Sequence, residues 1–202
     1  MRRQIAIANP GRTASTTLYN ALVMALKDSN RVYHIWDFSP VRLLDDAYRR
    51  EDIDIVVVKG ETYHFIEHLR HRDVTDLILL TRRDKLAQVV SHLVSLRGGR
   101  FHAKDSAPLQ PFRVNRDECL FVAHFIRMSE AYFDASDFKD FGRVERWQYE
   151  DLVADFPAHL ARLGITAPGP VQAIRGIPYE LDTVQNLAEL KQWCAEAGLL
   201  LT

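Results

Sequence analysis

The sequence holds only two cysteines, no block of like charge and no long apolar run, and each shortage removes a class of protein. Cys119 and Cys194 stand far apart in stretches of helical period and make no CxxC or CxxH spacing. That pattern predicts a reducing compartment without a disulfide framework, and no metal site is read from it. Lys and Arg number 26 against 27 Asp and Glu, with the arginines scattered, so no nucleic-acid partner is expected. The apolar run behind Met1-Arg2-Arg3 is too short for a signal-peptide core, and no cleavage site follows it. Without a stretch long enough for a membrane span, the expectation is a cytoplasmic protein. At 202 residues the chain suits one domain, 1–202, with one well-buried interior.

What the sequence does contain is alternation. Short β-rich runs fall at 4–8, 32–36, 54–59, 76–81 and 143–147. Segments of helical period lie between and after them, at 15–27, 41–49, 65–69, 84–96, 117–133, 150–163 and 184–196. This order predicts an α/β fold of three layers, with a central, mostly parallel sheet of about five strands flanked by helices. The run 54–59 is almost continuously apolar, as suits a central strand covered on both faces. Gly98-Gly99-Arg100 breaks a helix, and the stretch to Asn115, with Pro108 and Pro111, reads as a long loop of the kind that covers binding sites.

The most informative segment is Asn9-Pro10-Gly11-Arg12-Thr13-Ala14-Ser15-Thr16-Thr17-Leu18. A strand ends, small and hydroxyl-bearing residues follow, and a helix begins at once. Helix N-termini present unpaired N–H groups and partial positive charge, a geometry that favours phosphate or sulfate. Arg12 adds a charge-assisted donor to the same place. A capping role for Thr13 or Ser15 explains the same residues equally well. No Lys precedes the Ser/Thr and the glycine spacing fails, so this is not a Walker A loop.

The run Arg12-Thr13-Ala14-Ser15-Thr16-Thr17-Leu18 resembles the loop that binds the 5′-phosphosulfate in sulfotransferases using 3′-phosphoadenosine 5′-phosphosulfate (PAPS). A second cluster, Arg82-Arg83-Asp84-Lys85-Leu86-Ala87-Gln88-Val89-Val90-Ser91, follows the fourth β-run. Its helix sets Leu86, Val89, Val90, Leu93 and Arg97 on one face. Asp84, Gln88, Ser91 and Ser95 fall on a polar side that by itself reads as solvated. The spacing of Arg83 and Ser91 is similar to the element that holds the cofactor's 3′-phosphate in that family. The cluster, and the later Tyr149-Glu150-Asp151-Leu152-Val153-Ala154-Asp155, resemble the bacterial trehalose-sulfotransferase-like branch. Two departures stand out: Ala14 replaces a common glycine, and only Arg175-Gly176 echoes the family's Arg-Lys-Gly-type cover segment.

The resemblance implies a P-loop-like fold and transfer of a sulfuryl group from PAPS to a hydroxyl or amine of a small-molecule or carbohydrate acceptor, leaving 3′,5′-adenosine bisphosphate. Arg12 and the loop 12–17 (Thr13, Ala14, Ser15, Thr16, Thr17) would hold the phosphosulfate, and Arg83 with Ser91 the nucleotide end. A base for the acceptor is sought at the carboxyl ends of the strands, where open parallel sheets bind ligands. Glu61 after the third β-run ranks first, then Asp37 after the second, then His64. Each acid also has a plainer reading, Glu61 as a helix N-terminal acid and Asp37 as a turn residue before Ser39-Pro40. His92 reads as structural or solvated. His102 is a candidate to approach the acceptor and Lys59 to point into the same cleft, with a solvent-facing place the plainer reading of each. Trp36, Tyr63 and Phe101 suit a sugar-stacking wall or, more plainly, core. The competing functions are a P-loop small-molecule kinase and a nucleotide-binding, non-catalytic member of the fold.

Overall fold

The β-rich runs lie side by side in one sheet in the computed structural model, which describes residues 2–27, 32–35, 49–61, 63–98, 110–166 and 181–200. The strands are β1 (Arg3–Ala8), β2 (Val32–Ile35), β3 (Ile55–Gly60), β4 (Asp76–Thr81) and β5 (Arg143–Gln148). Their order is β2-β3-β1-β4-β5, and every pairing is parallel. Alternate residues supply two interiors. Ile5, Ile7, Val57, Ile78 and Leu80 face one side, while Ala6, Ala8, Val58, Leu77 and Leu79 face the other. Burial on both faces is why β1, β3 and β4 read as unbroken apolar runs.

Helix α1 (Ser15–Lys27) covers the first face, joined by α5 (Tyr149–Ala154) and α6 (Phe156–Arg162). The second face is covered by α2 (Tyr63–Leu69) and the end of α4 (Arg116–Ala135). A third apolar cluster joins α4 to α3 (Lys85–Gly98) and α7 (Leu187–Glu196). Within it Cys119 and Cys194 are fully buried, reduced, and 3.7 Å apart at their Sγ atoms.

Several boundaries differ from the sequence reading by one to three residues, and two differences have a visible cause. The single helix expected at 150–163 is two, because Asp155 turns the chain, accepts a hydrogen bond from the Ala158 amide at 3.1 Å, and is followed by Pro157 in the next first turn. Helix α4 starts at Arg116, one residue early, behind a capping box made by Asn115 and Glu118. Residues 41–48 of the helix expected at 41–49, and residues 99–109 of the long loop expected up to Asn115, lie outside the described residues. Among the described residues, no helix is long and apolar enough to cross a membrane.

Candidate functional site

The chain leaves β1 at the centre of the sheet, beside the carboxyl ends of β3 and β4. Asn9 fixes its exit. The Asn9 amide and Nδ2 both donate to the Gly60 carbonyl, at 3.1 and 3.0 Å, so the loop is pinned to the end of β3. Asn9 Oδ1 in turn accepts from the Gly11 amide at 2.9 Å and the Thr13 hydroxyl at 3.4 Å, curling the loop on itself. Thr13 is therefore a buried brace of the loop and not a cap of α1.

Three residues of this short loop are left-handed: Gly11 (φ 78°), Arg12 (φ 56°) and Ala14 (φ 60°). The conformation costs a non-glycine residue about 1–2 kcal/mol, and such strain clusters at functional sites. Ala14 thus occupies a position whose backbone favours glycine. Helix α1 then starts with the Thr17 and Leu18 amides on the Ala14 carbonyl. The amides of Thr13, Ala14, Ser15 and Thr16 find no acceptor among the described residues. They stand together at the positive end of a 13-residue helix.

Helix α3 closes the other side of the loop. Of the polar side that reads as solvated from the sequence, Asp84 alone is exposed, while Gln88 and Ser95 are fully covered and Ser91 nearly so. Gln88 Nε2 donates to the Gly11 carbonyl at 2.8 Å, and Arg12 Nε donates to Ser91 Oγ at 2.8 Å. Ser95 Oγ ties back to the Ser91 carbonyl at 2.9 Å. Gln88 and Ser91 stay polar because their partners are loop groups, which water would otherwise have to satisfy. Two candidates read from the sequence, Arg12 and Ser91, thus meet directly across 79 positions.

His92, the next residue, lies against the same loop. A Cβ added at Gly11 would sit 3.1 Å from His92 Cε1, 3.3 Å from His92 Nδ1 and 3.6 Å from Glu61 Oε2. Glu61 is exposed at the mouth of the cradle, and His64 is exposed in the first turn of α2. Lys59, read as solvent-facing, is buried at the end of β3. Burial lowers its pKa, and the Arg12 charge works the same way, while Glu61 opposes both. Burial likewise pushes His92 down to about 4, with Arg12 contributing.

Arg83 and Ser91 are not brought together. The Arg83 guanidinium is exposed and grips Asp151 with two bonds, at 2.8 and 2.7 Å. The Arg83 and Asp84 amides donate to the Glu150 carboxylate at 3.0–3.1 Å. Burial tends to raise the Glu150 pKa, but these amides prevail and lower it. Arg82 lies over the Tyr149 ring, 4.7 Å from its centre. The segment 149–155 therefore has a structural task, holding the turn between β4 and α3. Asp37 and His102 lie outside the described residues, and no three His, Cys, Asp or Glu among the described residues are placed to hold a metal ion.

A separate depression of about 610 Å³, lined by Arg3, Thr75, Asp76 and Arg143, lies at the amino ends of the strands, on the edge opposite the loop. One carboxylate there holds two guanidiniums, Asp76 taking Arg3 at 2.9 Å and Arg143 at 3.6 Å, which leaves the set with one positive charge in excess. Sequence reasoning missed Asn9, Gln88 and His92. A signal for the last two exists, since Gln88, Ser91, His92 and Ser95 recur at three- and four-residue spacing, a polar stripe along one side of a helix. Compared with models of protein families and with curated protein sequences, the chain matches none. The site defines an α/β domain whose first strand–loop–helix presents clustered amides and a guanidinium, a donor set suited to a tetrahedral oxyanion.

Proposed function

We propose that the chain is a sulfotransferase that takes a sulfuryl group from PAPS and delivers it to a hydroxyl or amine of a small-molecule or carbohydrate acceptor. The observation that carries this reading is the cradle itself: four neighbouring amides without acceptors among the described residues, with Arg12 braced beside them by Ser91. Those donors fit the phosphosulfate end of the cofactor, which supplies the activated sulfuryl group when bound. The amides of residues 13–16 would orient its oxygens. Arg12 would stabilise the negative charge that grows on the transferring group and the departing phosphate. The Ser91 brace and the Asn9 staple keep these donors from reorganising as the charge moves.

Arg83 is assigned to the 3′-phosphate of the nucleotide, while Ser91, which the resemblance pairs with it, serves the other end by bracing Arg12. Arg83 would exchange Asp151 for that phosphate, and an exposed ion pair is cheap to exchange. Glu61, at the mouth of the cradle, is the first choice for the group that takes the acceptor's proton. Sulfuryl transfer from a cofactor without a triphosphate needs no bound divalent ion, which separates it from small-molecule kinase chemistry.

The test is transfer from PAPS to a panel of carbohydrate and small-molecule acceptors, with and without chelator. Transfer that survives chelation is expected. Replacing Arg12→Ala should lower kcat by about 10²–10³-fold, as loss of one charge-stabilising donor does, without moving the thermal midpoint appreciably. Glu61→Gln should slow single-turnover transfer more than it weakens cofactor binding. A folded Arg12→Ala chain with full turnover would remove Arg12 from the mechanism.

A further inference from the structure

We propose that His92 is a proton-linked anion contact of the loop: when a sulfate or phosphate group enters beside Arg12, the His92 imidazole takes up a proton from solvent and becomes a second cation of the cradle. The inference deepens the reading above. It rests on the loop being an anion site, and it does not depend on which nucleotide, if any, carries the anion.

The geometry is specific. The ring edge bearing Cε1 and Nδ1 lies against Gly11, and the preceding residue, Ser91, is the one that holds Arg12. Gly11 is left-handed and has no side chain, so the imidazole reaches the loop backbone directly. His92 Nδ1 is buried with no hydrogen-bond partner among the described residues. One turn earlier on α3, the fully buried Gln88 holds the Gly11 carbonyl with Nε2, yet its Oε1 also has no partner. A neutral imidazole bearing its proton on Nε2 leaves two buried acceptors a turn apart with no donor between them. The Nδ1–H tautomer or the imidazolium converts one of them into a donor, and only the imidazolium adds charge for an anion.

Charge decides when that proton arrives. Among the described residues, the Arg12 charge acts on His92 from the loop, and the Glu61 carboxylate lies by Gly11 as His92 does. Lys59 is coupled to Glu61 and Arg12, and the Phe125 ring of α4 stands edge-on to His92 at 5.9 Å. On α3 itself its neighbours Gln88, Ser91 and Ser95 are uncharged. The ion pairs Lys85–Glu130 and Arg97–Glu118 between α3 and α4 are each matched internally. Without an anion, burial and the Arg12 guanidinium hold the imidazole neutral. An anion against Arg12 cancels that repulsion and adds an attraction of its own, so binding and protonation favour each other.

Sulfate is the first probe, because it does not titrate near neutrality. In the full chain, the imidazole NMR signals of His92, assigned by comparison with His92→Gln, should stay neutral to about pH 5 without anion. Saturating sulfate should raise the midpoint by roughly one to three units. Sulfate affinity should then weaken as pH rises from 5 to 7, by up to about tenfold per unit, and His92→Gln should lose that dependence. A His92 midpoint unmoved by bound sulfate overturns the proposal, and so does absence of sulfate binding throughout this range. The same titration with 3′,5′-adenosine bisphosphate separates the two claims. Sulfate-linked protonation without bisphosphate binding supports His92 and removes the nucleotide reading. Bisphosphate binding with His92 unmoved does the reverse.

Discussion

Ala14 shows how a single residue carries information that its identity conceals. Its φ of 60° is a conformation that glycine adopts without cost and alanine does not. Ala14→Gly should therefore stabilise the fold, by about 1 kcal/mol once the extra freedom of glycine in the unfolded chain is subtracted. Urea denaturation reads this directly, and a destabilised Ala14→Gly chain would mean that the loop tolerates its strain for free. His92 carries a second consequence. Its folded pKa, about 4, lies below the ordinary 6.5, so the unfolded chain binds a proton that the folded chain refuses. That contribution to stability is whole above pH 6.5 and is lost as pH falls toward 4, by up to ~1.4 kcal/mol per unit. The difference in urea midpoint between pH 7 and pH 5 should be larger in the native chain than in His92→Gln. Equal differences would contradict a buried, neutral imidazole. The Ala14 position is marked in the sequence by the resemblance, where a glycine is common, and His92 by the polar stripe it shares with Gln88, Ser91 and Ser95. What that stripe packs against is not legible until the loop is placed. The Arg12–Ser91 bond was hidden for the same reason, since nothing local ties residues 79 positions apart.

At the scale of elements, the sequence announces what depends on near neighbours. Strands β1, β3 and β4 are visible as apolar runs because both faces of the sheet are covered, and the loop between β1 and α1 is visible as a cluster of small and hydroxyl residues. The polar side of α3 was misread as solvated, since helical period separates two sides but does not say what lies against each. Its burial against the loop makes α3 part of the site. The break between α5 and α6 had its mark in Asp155 and Pro157. There the continuing helical period of Leu152, Phe156 and Leu160, all packed in one interior, masked the stop. Asp155→Ala removes the cap on α6 and should cost about 1 kcal/mol, measured as a lower thermal midpoint. No change would mean that packing of Phe156 and Leu160 alone holds the element in place.

The whole molecule places its chemistry where a parallel sheet allows it. β1 is central, its neighbours β3 and β4 end beside it, and the loop they frame gathers donors from β1, α1 and α3 while β3 brings Lys59 and Glu61. The opposite edge is closed by the Arg3–Asp76–Arg143 set, in which one carboxylate holds two guanidiniums. The third cluster, around α4 and α7, backs α3 with an apolar wall and so holds Ser91 and His92 toward the loop. The central claim is that this arrangement recognises a nucleotide bearing both 5′- and 3′-phosphate groups. The most direct test is a thermal-shift titration with 3′,5′-adenosine bisphosphate beside ATP, ADP and AMP. A ligand at about a hundred times its dissociation constant stabilises a fold by roughly 2.7 kcal/mol, which for a chain of this length is a shift on the order of 5–10 °C. A shift of that size with the bisphosphate alone, independent of Mg²⁺, is the predicted result. A flat response to the bisphosphate, with a Mg²⁺-dependent shift from ATP, would contradict the account.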